Sequence, residues 1–283
     1  MGSVYEFADV ADLRAYGAVV AKSVSPTPWP GRTPPRLGSA GTGMLNGIGI
    51  QNPGVDAWVD EIAPLVSELP TRVWASVVGH TPDEFARVAT AMARADIEAV
   101  EVNLSCPNLD GHLFALEPGA SAEVVAAVRA AVDVPIGAKL SPNASDIAGV
   151  ATAAVEAGAD WLVLTNTALG AAIDIHRRRP VLSGTIGGYS GPPLKPIALR
   201  CVIEARRALP DTPIIGLGGV QRAEDVIEYL LAGASAVGIG TAHFADPRVA
   251  SKVLDDLPAL VQRLGAGSVS ELVGRMETWE VMS

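Results

Sequence analysis

Short apolar runs rich in Val, Ile and Leu recur along the chain, separated by windows in which apolar positions return every three or four residues. Runs of the first kind, bounded by Gly and Pro, read as strands; windows of the second kind read as amphipathic helices. The pattern predicts seven strands, at residues 17–21, 72–78, 99–104, 135–140, 161–165, 213–217 and 236–240. They show little polar alternation, so both faces are expected to be buried, as in parallel sheets. Between them Thr81-Pro82-Asp83-Glu84 supplies a capping hydroxyl, a first-turn proline and a glutamate at the capping-box position. Ser121 and Ser145 are expected to open the next two helices, whose windows at 123–132 and 147–157 turn Ala and Val toward the sheet. A helical stretch at 5–16 is expected before the first strand.

Strands alternating with helices predict an α/β fold, a (β/α)8 TIM barrel lacking its first strand at the N-terminus. The competing doubly wound sheet would carry a helix-opening G-x-G-x-x-G after an early strand, and none is present. With 283 residues, 49% of them hydrophobic, the chain suffices for one large core, so residues 1–283 are expected to form a single domain. Two long Gly- and Pro-rich excursions, 23–55 and 168–195, leave the C-terminal ends of strands. In a barrel they would cover the face that carries active sites.

The chemistry gathers at those strand ends. Val102-Asn103-Leu104-Ser105-Cys106-Pro107-Asn108 closes an apolar strand and displays two amides and a thiol on one turn. Lys22 follows the first strand, Asn46 lies in the next excursion, and Asn166 and Thr167 follow the fifth strand. Lys139 sits within an apolar strand run, where burial of an ammonium requires a partner. Any one of these amides would serve as a turn residue, and Cys106 as a small hydrophobe; Lys22 alone equally suits a structural salt bridge. Four amides (Asn46, Asn103, Asn108, Asn166) at one barrel mouth suit a ligand offering both donors and acceptors, such as a pyrimidine or another cyclic imide. The runs 214–220 and 237–242 place Gly218, Gly219 and Gly240 at the ends of the last two strands, the phosphate position of a barrel. His243 beside them reads as structural and Cys201 as packing.

Charge and composition narrow the partners. A net charge of −10 argues against nucleic acid. No uncharged segment is long enough to span a bilayer, so no membrane association is expected, and residues 1–12 lack the pattern of a secretory signal. Two cysteines form no disulfide framework and fit a reducing, cytoplasmic setting. No metal site is expected.

The words Arg32–Arg36 (RTPPR), Gly43–Val55 (GMLNGIGIQNPGV), Asn103–Asn108 (NLSCPN), Lys139–Asn143 (KLSPN), Gly187–Pro196 (GGYSGPPLKP), Ile214–Val220 (IIGLGGV) and Gly240–Pro247 (GTAHFADP), with Lys22 and Asn166-Thr167, run nearly end to end. In them the chain resembles the class 1 dihydroorotate dehydrogenases, flavin mononucleotide (FMN) enzymes of pyrimidine biosynthesis. The cysteine in NLSCPN resembles class 1 rather than the membrane-associated class 2, which has serine there. GTAHFADP and AIDIHRRRPVLSG resemble the B-type, which works with an iron-sulfur and FAD reductase subunit, more than the fumarate-using A-type. The resemblance implies that Cys106 removes the C5 proton of dihydroorotate while hydride leaves C6 for flavin N5. It implies that Asn46, Asn103, Asn108 and Asn166, with Thr167, hold the substrate and later orotate, and that Lys22 lies near substrate and flavin. It further places Lys139 at the flavin N1 and O2 edge, with Gly191, Gly218, Gly219, Gly240 and Thr241 against the flavin and its phosphate. A homodimer core is implied as well.

Two departures stand out. The family's first strand, with an Ala-Ser-Gly segment against the flavin, precedes Met1, and only Gly2 and Ser3 match its remnant; a start placed too far downstream is the expectation. The loop 109–117 matches neither A-type nor B-type wording, and His112 within it reads as a solvated loop residue. Two alternatives remain beside dihydroorotate oxidation. One is a relative acting on another cyclic amide such as dihydrouracil, whose comparable turn has histidine where this chain has Asn108. The other is a non-catalytic truncated paralogue that binds flavin poorly. A cofactor-free isomerase or lyase would need a carboxylate at the mouth, and none stands out in the sequence.

Overall fold

The computed structural model describes residues 2–95, 97–105 and 114–279. Seven strands occur where the apolar runs predict them: β1 (Val19–Val20), β2 (Val73–Val77), β3 (Val100–Asn103), β4 (Ile136–Leu140), β5 (Trp161–Leu164), β6 (Ile214–Leu217) and β7 (Ala236–Gly238). They lie side by side in chain order and every pairing is parallel. A doubly wound sheet would reverse its order at a switch point, so this winding is that of a barrel. Among the described residues no strand joins β7 back to β1, and the sheet is open along that seam.

Helices α1 (Pro82–Ala93), α2 (Pro118–Ala131), α3 (Ile147–Glu156), α4 (Lys195–Ala208), α5 (Ala223–Leu231) and α6 (Val249–Arg263) pack outside. Their buried positions repeat at helical spacing: Phe85, Val88, Ala89 and Met92 on α1; Val124, Val125 and Val128 on α2; Ile147, Val150, Ala151 and Ala154 on α3. These stripes meet the outward faces of the strands in one apolar cluster that extends from Val4 to Leu272. Each large side chain so buried contributes roughly 1.5–3 kcal/mol of transfer free energy.

A second, smaller cluster fills the bottom of the barrel: Ala99, Trp161 and Val163, with Trp74, Ile215 and Leu217 packed on it. The rings of Trp74 and Trp161 lie 5.1 Å apart. Gly137 is required here, because a Cβ at that position would fall 2.2 Å from Cε2 of Trp161.

Several local expectations are corrected. Residues 5–16 form two single 3-10 turns, Tyr5–Phe7 and Leu13–Ala15, rather than a helix; the Asp12 carboxylate accepts from Arg14 N–H and competes with helix continuation. The second of the predicted helices begins at Pro118, whose fixed φ suits a first turn, and Ser121 lies inside it, donating its hydroxyl to Phe114 O. Asp146, not Ser145, caps α3 by accepting from Gly149 N–H at 2.8 Å. Thr81 does cap α1, but Glu84 reaches back to His80 N–H instead of the cap itself.

The excursions 23–55 and 168–195 are not plain loops. Together they build one antiparallel sheet in the order Leu37–Ala40, Gly43–Asn46, Gly187–Ser190, Ala168–Gly170. Two segments far apart in sequence thus make a common cover at the C-terminal end of the barrel.

Candidate active site

Inward-facing positions change character along each strand because side chains alternate at a period of two. On β3 the inward series runs Ala99, Glu101, Asn103 and on to Ser105; on β4 it runs Gly137, Lys139, Ser141; on β2 it runs Trp74, Ser76. The bottom of the barrel is therefore apolar and its mouth polar.

At the mouth one hydrogen-bonded chain crosses four strands. Ser76 Oγ and Ser23 Oγ lie 2.8 Å apart, and Asn103 Nδ2 donates to Ser23 Oγ at 2.9 Å. Ser105 Oγ donates to Asn103 Oδ1 at 3.1 Å, and Asn166 Nδ2 donates to Ser105 Oγ at 2.9 Å and to Ser105 O at 3.2 Å. Asn166 Oδ1 in turn accepts from Thr167 N–H at 2.8 Å. Asn103 and Ser105 are buried, so each unpaired polar atom there would cost about 1–3 kcal/mol. The chain is consequently held in place as far as Ser105. Cys106 and Asn108 lie outside the described residues.

Asn46 reaches the same mouth from the cover sheet, where its Nδ2 donates to Gly188 O at 3.3 Å. A Cβ at Gly188 would lie 2.2 Å from Thr167 Oγ1 and 3.1 Å from Asn46 Nδ2, so this glycine lets the cover close onto both. Asn143, from the KLSPN run, ties the cover down by donating to Ser141 Oγ and accepting from Leu169 N–H.

Lys139 lies beneath the amides, opposite Asn103 in the β3–β4 register. Its ammonium is 3.6 Å from Glu101 Oε1, and the two side chains are 20% and 4% exposed. The sequence announces that Lys139 needs a partner; it does not single out Glu101, hidden between Val100 and Val102. Alternation with Asn103 on the same strand was the available signal. Lys22 follows β1, with its backbone N–H donating to Gly2 O at 2.9 Å. Of the described candidates Lys22 lines a cavity of about 660 Å³ bounded also by Gly2, Trp29, Asn52 and Trp58.

The glycine runs form a second part of the site. Leu217 and Gly238 are register partners at the ends of their strands, and Gly219 and Gly240 each follow two residues on. Gly219 has φ 71°, and a Cβ there would meet Gly191 O at 2.9 Å and Lys195 N at 3.0 Å. At Gly240 the nearest atom to such a Cβ is Leu217 Cδ1 at 4.0 Å, so open space lies in front of that backbone. Among the described residues the N–H groups of Gly219, Gly240 and Thr241 have no hydrogen-bond acceptor.

The sequence missed what holds these loops. Tyr229 donates its hydroxyl to Gly218 O at 2.7 Å, and Asp225 Oδ2 accepts from Gln221 N–H and Arg222 N–H. Lys195 Nζ lies 2.7 Å from Asp225 Oδ1 and 2.6 Å from Glu228 Oε1. Burial pulls the Lys195 ammonium pKa down, but both hydrogen-bonded carboxylates outweigh it and leave it above the ordinary value. His243 is structural, as expected: Nδ1 faces Gly240 O at 2.9 Å and Nε2 faces Tyr16 Oη at 2.7 Å, with Phe7 at its ring edge. Burial lowers its pKa below 6.5. Cys201 is packing, fully buried in α4 with its thiol pushed up to about 11.

Known proteins are similar to this chain over most of its length. The family model for dihydroorotate dehydrogenase matches residues 1–261. A protein of Geobacillus kaustophilus named as the catalytic subunit of dihydroorotate dehydrogenase B (NAD(+)) is 43% identical over 273 residues, 95% of this chain and 87% of that protein. Proteins of the same name from Alkaliphilus metalliredigens and Trichlorobacter lovleyi are 40% and 43% identical, covering 97% and 96% of this chain and 91% and 90% of theirs. In fold, the chain is similar to a solved dihydroorotate dehydrogenase of Eimeria tenella in complex with ferulenol, with a TM-score of 0.80, 22% identity, and coverage of 93% and 79%. The chain belongs to the dihydroorotate dehydrogenase family.

Proposed function

We propose that this chain is the FMN-binding catalytic subunit of a B-type enzyme that oxidises dihydroorotate to orotate in pyrimidine biosynthesis. The observation that carries the proposal is the convergence of Asn46, Asn103, Asn166 and Thr167 above the half-buried Lys139 at one barrel mouth.

The residues present fit FMN. Gly219, Gly240 and Thr241 offer unengaged N–H groups at adjacent strand ends, with open space at Gly240, which suits a phosphate. Gly191 and Gly218 complete the wall, and the Lys195–Asp225 pair fixes its shape. Lys139 supplies a positive charge inside the mouth, and Lys22, next to Ser23 of the hydrogen-bonded chain, lines the neighbouring cavity beside Trp29 and Trp58. When bound, the flavin supplies acceptance of hydride from dihydroorotate C6. The chain's own work is orientation and proton transfer. Asn46, Asn103, Asn108 and Asn166 hold the ring amides and carboxylate, Thr167 sits beside them, and Cys106 as thiolate takes the C5 proton. The cover sheet keeps bulk water from the mouth.

The names of the relatives support a reductase partner: each is the catalytic subunit of an NAD(+)-type enzyme. On this reading electrons leave through an iron-sulfur and FAD subunit, the catalytic chains pair as a homodimer, and the enzyme works in the cytoplasm as a single-domain barrel. No helix among the described residues is long and apolar enough to cross a membrane.

The test is a visible spectrum of the purified chain with FMN, before and after anaerobic dihydroorotate. Bleaching of a bound-flavin spectrum is expected. Bound flavin that stays oxidised with dihydroorotate but bleaches with dihydrouracil would overturn the substrate, and absence of binding would overturn the flavin.

A further inference from the structure

The Glu101–Lys139 pair is an odd element for a barrel interior. Glu101 is 4% exposed, and among the described residues the Lys139 ammonium at 3.6 Å is its one charged partner. Gly137, opposite Glu101 in the register, contributes no side chain to it. A buried carboxylate held by a single long ion pair is a poor source of stability, because desolvation of two charges offsets most of their attraction. An apolar residue at 101, continuous with the Ala99, Trp161 and Val163 cluster below, would suit folding better. The placement therefore points to what the carboxylate does to its neighbour.

Resting on the flavin reading above, we propose that Glu101 is a positioning residue that anchors the Lys139 ammonium at the mouth and partly neutralises it. Lys139 has four rotatable bonds and reaches the polar layer from β4; without an anchor its ammonium would swing toward solvent or the amide network. With Glu101 in place the mouth presents an ammonium backed by a carboxylate instead of a bare cation. Such a pair stabilises added negative charge less than the cation alone. Glu101 thus sets how far the site favours reduced over oxidised flavin.

The experiment is a double-mutant cycle on the full chain, E101Q, K139Q and the double variant, with E101D as the conservative control. On apoprotein, urea unfolding should be non-additive, the double variant losing less than the two single variants summed, because K139Q strands the buried Glu101 carboxylate and E101Q leaves the Lys139 ammonium without its ion-pair partner. On FMN-loaded protein, E101Q should shift the ratio of oxidised to reduced flavin dissociation constants about tenfold toward the reduced form. That is a rise in midpoint potential of about 30 mV for the two-electron couple. E101D should stay close to wild type. Additive unfolding, or an E101Q potential equal to or below wild type, would overturn the proposal. A wild-type chain that binds no FMN would overturn the flavin reading instead, and the apoprotein cycle alone would then decide the pairing.

Discussion

The bottom and the mouth of this barrel are built by the same strands and differ by two residues along each. At the bottom Trp74, Ala99, Gly137, Trp161 and Ile215 exclude water by fitting together; Gly137 exists to admit the Trp161 ring. At the mouth Ser76, Glu101, Asn103, Lys139 and Ser105 satisfy one another through directed contacts. The bottom holds the barrel's shape, and the mouth spends polar groups that a purely structural interior would not bury. Changes at the two levels should therefore fail in different ways.

Trp161→Ala should show the largest effect on folding. Removing a ring from the closed bottom layer is expected to lower unfolding free energy by about 3–5 kcal/mol, read by urea denaturation. The molecules that remain folded should bind FMN as wild type does. Cys106→Ser should do the reverse: flavin content and unfolding midpoint unchanged, and the rate of anaerobic flavin reduction near neutral pH down by about 10²–10⁴-fold. Wild-type rates in that variant would remove Cys106 as the base.

Asn166→Ala lies between these. It removes the donor to Ser105 Oγ and the acceptor for Thr167 N–H. A loss of roughly 1–3 kcal/mol in stability is expected, together with weaker orotate binding measured by flavin perturbation. A stability loss without any change in orotate affinity would confine Asn166 to structure.

The smallest effect is one of pH. His243 is neutral in the folded protein because burial lowers its pKa below 6.5. As pH falls below about 6.5 the unfolded chain binds a proton that the folded chain refuses, so stability declines until the lower folded value is passed. The unfolding midpoint should drop modestly as pH falls below about 6.5, with no contribution from His243 above it. His243→Gln should flatten that slope; an unchanged slope would assign it to other groups.

Much of this was legible in the sequence, for identifiable reasons. The seven strands carry their signal locally, in apolar runs such as Trp161–Leu164 buried on both faces. Asn103, Asn166 and Lys139 were legible because polar residues at the ends of such runs are conspicuous. Glu101 was not, because its partner is fixed by cross-strand register, which neither strand states alone. The same holds for the cover: Gly43–Asn46 and Gly187–Ser190 are short, Gly-containing strands, and the pairing that joins their two excursions spans more than a hundred residues. Residues 5–16 misled because the Asp12 side chain caps the short turn Leu13–Ala15 by accepting from Arg14 N–H, which separates it from the turn at Tyr5–Phe7.

The most direct test of the division between bottom and mouth is a crystal structure of the chain grown with FMN and orotate. The account predicts the phosphate on the N–H groups of Gly219, Gly240 and Thr241, the flavin ring beside Lys139, and orotate among Asn46, Asn103 and Asn166, with the Trp74–Trp161 layer unchanged beneath. Flavin bound away from Lys139, or orotate clear of those amides, would contradict it.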